Sequence, residues 1–343
     1  MDGKPKVSVI IANWNGAAHL RVCLPGLQSQ SFKPLEIIVV DNCSSDDSAD
    51  VARSLGVRWL LLENNLGLAP ALNRGASIAG GELLLFVNND MRFDPEFVAA
   101  LAAPLDGNKG IFASDGMQFN WDGTVRGHLA ARLTNARTTR EVSTELVPGL
   151  YFYQQEKTEQ APVFMASAAC MMVRRAFFEK LGGFDDRLPF GYEDVEICWR
   201  AWVHGWKTLY VPRAICWHRV SSSVRSEQAS RFSFQGVLKG RLLLATKLLP
   251  SRYTFSTWFF STAGLARDLS RLRWKFASDR IGVLFHMAGL FAQLLREKRK
   301  LFKSANSSPE KQLEFLLRLT ADDAQADGAT QEQKNAQSLT MRP

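Results

Sequence analysis

Four short polar clusters stand directly after apolar, β-branched runs: Asn13-Trp14-Asn15-Gly16, Asp41-Asn42, Glu63-Asn64-Asn65 and Asn88-Asn89-Asp90. Turn chemistry accounts for Asn or Asp after any one strand. Four such clusters on one edge point instead to a polar ligand with many hydrogen-bonding groups. A further pair, Glu193-Asp194, follows the Phe190-Gly191-Tyr192 turn and opens a helical stretch. A carboxylate there is favoured as an anion by the helix dipole, and serves either as a cap or as a general base. His218 stands 24 residues beyond Asp194, just past the strand-like Ile215-Cys216-Trp217.

These groups need a scaffold, and the first 90 residues supply one. Val7–Ala12, Glu36–Val40, Trp59–Leu62 and Glu82–Val87 read as strands, with helix-like stretches at His19–Ser29, Asp46–Leu55 and Leu68–Ala79 between them. Uninterrupted apolar strands alternating with helices imply an α/β fold with a parallel sheet covered on both faces. In such a sheet ligands bind beyond the carboxyl ends of the strands, where the four clusters stand. Phe93–Ala103 reads as a helix that Asp90 could cap, Ile111–Phe119 as a strand, and the remainder to Pro162 as loops over the site. Val163–Val173 reads as a buried strand, Arg174–Leu181 and Glu193–His204 as helices, and Thr208–Val211 as a strand. Glu196 and Arg200, four residues apart, form a structural helical pair.

The chain has 343 residues, enough for about two domains, and 46% hydrophobic against 22% charged residues excludes wholesale disorder or a polytopic membrane protein. Its net charge of +8 is unevenly placed. Arg225 to Lys303 holds 16 basic and 4 acidic residues, whereas the rest of the chain is at −4. Five cysteines without C-x-x-C or metal-ligand spacing read as buried, reduced thiols, which points to the cytoplasm. Asn13, Asn15 and Gly16 interrupt the first apolar run too soon for a signal peptide. Ile281–Leu295 is the longest apolar stretch, 15 residues or roughly 22 Å of helix against a hydrocarbon core of about 30 Å. His19, His128, His204 and His286 read as satisfied surface or core residues. No G-x-x-x-x-G-K-[ST], G-x-G-x-x-G, H-E-x-x-H or G-x-S-x-G motif occurs.

The ordered series VSVIIANWNG, EIIVVDNCSSDDS, NNLGLAPALNRG, LLLFVNND, GYEDVEICWRAWVHG and the later Trp217-His218 resembles that of family 2 glycosyltransferases, inverting enzymes of the GT-A fold. Within that family it is similar to the bacterial branch containing rhamnosyltransferases of lipopolysaccharide and other cell-surface glycans. The likeness covers about Lys6 to Arg225. It implies a GT-A fold, a Rossmann-like, mostly parallel sheet flanked by helices, over residues 1–225. It also implies transfer of a sugar, rhamnose being one candidate, from a UDP- or dTDP-linked donor to a glycan or lipid-linked acceptor. By this resemblance Asn13, Asp41, Asn65, Gly67, Asn73, Asn88 and Asn89 line the nucleotide, Asp41 accepting the N3–H of uracil or thymine. Ala69-Pro70 stands where the family often has paired glycines. Asp90 closes the family's D-x-D motif and would hold Mg²⁺ or Mn²⁺ on the diphosphate, with His218 as a second metal or diphosphate ligand and Arg219, Ser221 and Ser222 as phosphate contacts. Asn88 replaces the first carboxylate of that motif. Asp194 would be the general base, with Glu193 orienting the acceptor or its neighbours.

Residues 226–303 alternate Leu, Phe and Trp with Lys and Arg, a basic helical region suited to an anionic membrane surface or to packing on the catalytic domain. Nucleic-acid binding has no accompanying module. Peripheral contact with the cytoplasmic face of the inner membrane would suit a lipid-linked acceptor. Residues 304–343 form a polar tail with a helix at Pro309–Thr320 and a disordered end. Two other readings stay open. A sugar nucleotidyltransferase uses a similar sheet but needs a G-x-G-T-R loop missing here, and a catalytically degenerate membrane scaffold is compatible with Asn88.

Overall fold

The computed structural model describes residues 6–33, 35–123, 126–135, 143–188, 191–219 and 227–319. Strands β1 (Val7–Asn13), β2 (Leu35–Asp41), β3 (Arg58–Leu61) and β4 (Leu83–Asn88) run parallel in the order β3-β2-β1-β4, joined through helices α1 (Ala17–Gln28), α2 (Ser48–Ser54) and α3 (Leu68–Ile78). Register sets the site: Asn13 lies opposite Asp41, and Ala12 opposite Asn88. The apolar runs are continuous because both faces are covered. Ile10, Ile38, Leu84 and Phe86 face one layer of helices, and Val9, Ile11, Val39 and Leu85 the other.

Beyond β4 the sheet continues as β12 (Cys170–Arg174), β6 (Ile111–Asn120) and β13 (Lys207–His218). β12 is antiparallel to both neighbours, and β13 is parallel to β6. Three sequence expectations are corrected here. Phe93 ends a short strand, β5 (Met91–Phe93), which pairs with β13, and the following helix α4 is confined to Phe97–Ala102. Pro95 biases its predecessor away from helix, so Asp90 precedes a strand and caps nothing. Residues 111–162 hold strands beyond the one expected: β7 (Arg126–His128) and β11 (Ala161–Pro162) extend the main sheet. Strands β8 (Ala130–Thr134), β9 (Ser143–Val147) and β10 (Leu150–Gln155) form a small antiparallel sheet. These strands are short, and β10 carries a register shift, so period-2 patterning is weak. Finally, only residues 170–173 of the apolar 163–173 stretch are strand, the start of β12. Val163 to Ala166 is a buried irregular crossing that presents backbone N–H groups to the interior.

Helices α5 (Arg175–Leu181) and α6 (Glu193–Val203) cover one face of the sheet. Gly182 in the left-handed region ends α5. Then α7 (Glu227–Lys247), α8 (Ser251–Ser270) and α9 (Trp274–Ser304) form a helical layer, followed by a helix over 309–319. Leu244, Leu248, Phe302, Leu313 and Leu316 share a core cluster with Trp199 and Phe86, so the layer is packed onto the α/β unit. The apolar Ile281–Leu295 stretch lies in α9, where Met287 and Leu294 are buried against α7. No described helix is long and apolar enough to cross a membrane. Four cysteines are buried and reduced, but Cys43 is exposed. The 320–343 tail, Ser221 and Ser222 lie outside the described residues.

Candidate active site

The polar clusters meet at the carboxyl ends of β1, β2 and β4. Asn13 is buried, donates from Nδ2 to Asp41 Oδ1 at 3.2 Å, and accepts at Oδ1 from Asn89 Nδ2 at 2.7 Å. Asp41 also accepts the Ser44 N–H at 3.0 Å and the Ser44 hydroxyl. Three donors thus occupy a carboxylate with about four acceptor positions, leaving room for one more N–H. Gly16 explains how the Asn13–Asn89 link closes: a Cβ there would lie 2.2 Å from Asn89 Nδ2 and 2.4 Å from Asn13 Oδ1. Gly67, at φ +89°, turns the chain into α3 and receives the Asn42 side chain on its carbonyl, while its N–H is held by Asn65 Oδ1 at 3.0 Å. Asn73 is engaged elsewhere. It binds the Phe184 N–H and C=O and Asp186 Oδ1, tying α3 to the turn after α5.

At the end of β13, His218 Nε2 lies 3.1 Å from Asp90 Oδ1 and 3.2 Å from Asn88 Nδ2. The sequence separates these groups by about 130 residues, and the β5–β13 pairing of Met91 with His218 brings them together. Arg219 donates its backbone N–H to the Asp90 carbonyl and lays its guanidinium over Trp121. Arg92 sits between Trp121 and Trp217, 4.9 Å from each ring centroid, which stiffens the strand end carrying His218. Among the described residues no group of three or more His, Cys, Asp and Glu side chains converges to cage a metal. Mg²⁺ and Mn²⁺ are commonly held by one or two carboxylates with substrate phosphates and water. One carboxylate, one imidazole and a neighbouring amide fit an ion completed in that way.

Glu193 and Asp194 occupy the first turn of α6. Glu193 is 4% exposed and its Oε2 has no hydrogen-bond partner. Burial, reinforced by the Asp194 charge, pushes its carboxyl up to about 8. Asp194 remains partly open to solvent. Enclosure by protein raises its carboxyl too, opposed by the N–H groups of Val195 at 2.7 Å and Ala168 at 3.4 Å and by His128. A carboxylate whose proton affinity is raised and that is still accessible is chemically suited to accept a proton.

Sequence reasoning treats His128 as an ordinary core histidine and gives Asp115 no role; the fold sets both beside this pair. His128 Nε2 is 2.8 Å from Asp115 Oδ2. Its Nδ1 meets Gln154 Nε2 at 3.0 Å, and Gln154 Oε1 is taken by the Leu129 N–H, which places the ring proton on Nε2. Burial opposes a charged ring, but the charge and hydrogen bond of Asp115, with the Asp194 charge beyond, raise the pKa of His128 overall. Consecutive amides of the 163–169 crossing hold the two carboxylates, Ser167 N–H on Asp115 and Ala168 N–H on Asp194. No local sequence signal marks this cluster, because it arises from strands β6 and β7 and a loop.

Tyr192, at φ +70°, caps α6 in a conformation unusual for a bulky side chain. Its hydroxyl donates to the Leu146 carbonyl and accepts from Arg241 of α7, and its ring lies against Gly240, where a Cβ would come within 2.6 Å. The body of α6 is anchored from the same side. Lys247 reaches Glu196 at 2.7 Å and Asp185 at 2.8 Å, and Arg200 forms a buried pair with Glu196.

The model for glycosyl transferase family 2 matches residues 8–182, which takes in Asn13, Asp41 and Asn88–Asp90 and stops short of Glu193, Asp194 and His218. The chain is 29% identical over 251 residues to an N-acetylglucosaminyl-diphospho-decaprenol L-rhamnosyltransferase of Mycobacterium tuberculosis, covering 66% of this chain and 80% of that protein. It is also 29% identical over 243 residues to the O-antigen biosynthesis protein RfbC of Myxococcus xanthus, covering 66% of this chain and 18% of RfbC. Among solved structures, the mannosyltransferase PcManGT from Pyrobaculum calidifontis, in complex with GDP-Man and Mn²⁺, is similar in fold, with a TM-score of 0.51, 18% identity and coverage of 95% of this chain and 88% of that one. With the family's stretch spanning half the sequence and the strand-end cluster inside it, the chain belongs to glycosyl transferase family 2 and has the GT-A fold.

Proposed function

We propose that the protein is an inverting, metal-dependent glycosyltransferase that moves a sugar, rhamnose being the candidate its relatives suggest, from a UDP- or dTDP-linked donor to a glycan or lipid-linked acceptor of the bacterial cell surface. The observation that carries this reading is the meeting of Asp90, His218 and Asn88 at the strand ends beside Asn13 and Asp41. The named functions of the mycobacterial and myxobacterial relatives support the glycan context. In this reading Asp41 offers its remaining acceptor position to the pyrimidine N3–H, and the Asn65–Gly67 turn flanks the nucleotide. Asp90 and His218 would hold a divalent ion, Mg²⁺ or Mn²⁺, which neutralises charge on the departing diphosphate. Asp194 accepts the proton of the acceptor hydroxyl as its oxygen attacks the anomeric carbon from the face opposite the leaving group. Glu193, whose carboxyl burial biases towards the protonated form, limits the negative charge set beside Asp194. The reading further holds that residues 1–225 carry catalysis and that 226–303 meets the cytoplasmic face of the membrane.

Asp194→Asn should retain donor affinity within about threefold and lose on the order of 10³-fold in turnover. Undiminished turnover would sink the assignment. Asp90→Ala should abolish the Mn²⁺-dependent part of UDP or dTDP affinity, and calorimetry that gives equal affinity with and without Mn²⁺ in the native protein would refute the metal role. A panel of nucleotide sugars screened for Mn²⁺-dependent thermal stabilisation identifies the donor.

A further inference from the structure

Eight of the fourteen large hydrophobic side chains exposed among the described residues fall between positions 255 and 285. Scattered single hydrophobics are ordinary on a protein surface; this concentration on one helical hairpin is not. On α8, Phe255 is 74% exposed, and its ring stacks on Phe259, which in turn contacts Phe260 edge-on. At the α8–α9 turn Leu272 is 72% exposed and Trp274 63%, and on α9 Phe285 is 83% exposed.

The charges of the hairpin are sorted by sign. Asp268 is buried and paired with Arg280, Asp279 is buried and accepts from Gln235, and Glu297 is held by Arg187 and Lys247. The exposed charges between Ser251 and Ser278 are all cations: Arg252, Arg267, Arg271, Arg273 and Lys275. Some of the basic excess in the sequence is turned inward, since Lys247 and Arg280 are buried in ion pairs. The outward remainder borders the aromatic side chains.

We propose that the α8–α9 hairpin is a lipid-binding surface, whose exposed phenylalanines with Leu272 and Trp274 enter the interfacial layer of an anionic bilayer while the bordering arginines and lysine meet its headgroups. This deepens the membrane reading given above by assigning it to one surface. Aromatic rings seat well at the headgroup level, and cations near such a surface add to binding. A protein partner of the same face would bring carboxylates for these arginines; a bilayer of anionic lipid supplies negative charge and an apolar interior together.

The test uses the full chain with vesicles of phosphatidylcholine alone and of phosphatidylcholine with 30 mol% phosphatidylglycerol, read by co-sedimentation. The native protein should partition at least tenfold more strongly onto the anionic vesicles. The triple variant Phe255→Ser, Phe259→Ser, Phe285→Ser should lose at least tenfold in partition onto them, with donor binding in solution unchanged. Replacing Arg267, Arg271 and Lys275 with Gln should weaken binding on the order of 10²-fold at low salt. Equal partition of the native and aromatic-variant proteins would overturn the proposal, as would absence of native binding to the anionic vesicles. A loss of self-association in the variant with no change in vesicle binding would assign the surface to a second copy instead. Because turnover and donor affinity are measured on the same samples in solution, failure of the lipid surface is distinguishable from failure of the transferase assignment.

Discussion

At the scale of single residues, the site is held by contacts that leave little slack. Gly16 makes one of them possible: the Asn13–Asn89 contact passes through the space a methyl group would fill. Gly16→Ala should reduce UDP or dTDP affinity at least tenfold in calorimetry while leaving the circular dichroism spectrum unchanged; unchanged affinity would show that the link does not shape the nucleotide site. Glu193 illustrates a different cost. A carboxyl near 4.5 when unfolded and near 8 when folded stabilises nothing below the lower value, and destabilises the fold increasingly as pH rises between the two. Glu193→Gln should therefore raise the melting temperature more at pH 8 than at pH 5, and parallel melting curves against pH would refute it. Of the residues named from sequence, Asn13, Asp41, Asn88, Asn89 and Asp90 gather because each ends or directly follows a strand whose apolar run is plain to read, whereas His218 joins them through β5, which is not. Asp115 and His128 were illegible, since nothing in the spacing around them tells that β6 and β7 turn them towards α6.

At the scale of elements, the parallel half of the sheet was legible within a residue or two, as continuous β-branched runs leave few alternatives. The small sheet of β8, β9 and β10 was not. Its strands are short and pair antiparallel with a register shift, and its Thr- and Arg-rich sequence resembles loop. The apolar 163–173 run misleads for the opposite reason: its hydrophobicity reflects burial, while its backbone serves as a set of donors to Asp115 and Asp194. Helix α6 is the element on which the proposed chemistry depends, and its internal charges are compensated from α7. Lys247→Met would leave Glu196 with Arg200 alone and Asp185 with Arg187, and should cost about 3 kcal/mol in denaturant unfolding. A loss within 0.5 kcal/mol would mean that the network tolerates the missing cation.

At the scale of the whole molecule, the net charge of +8 conceals three uses of cations. Arg92 and Arg219 brace the end of β13, Lys247 and Arg241 fasten α7 to the α/β unit, and Arg252, Arg267, Arg271, Arg273 and Lys275 of the α8–α9 hairpin face outward. The helical layer shares its core with the sheet, so a chain truncated after Arg219 should show no cooperative thermal transition and no nucleotide binding; a sharp transition with native affinity would establish that the α/β unit folds alone. One contact carries this furthest. Tyr192 keeps its left-handed conformation directly before Glu193 with its ring against Gly240 and its hydroxyl under Arg241, so the shape of the Glu193–Asp194 end of α6 is partly written in α7. A chimera that joins this α/β unit to the helical region of another transferase would inherit a misdirected Glu193–Asp194 pair unless the donor helix brings a small residue opposite Tyr192, which sets where the two halves can be recombined.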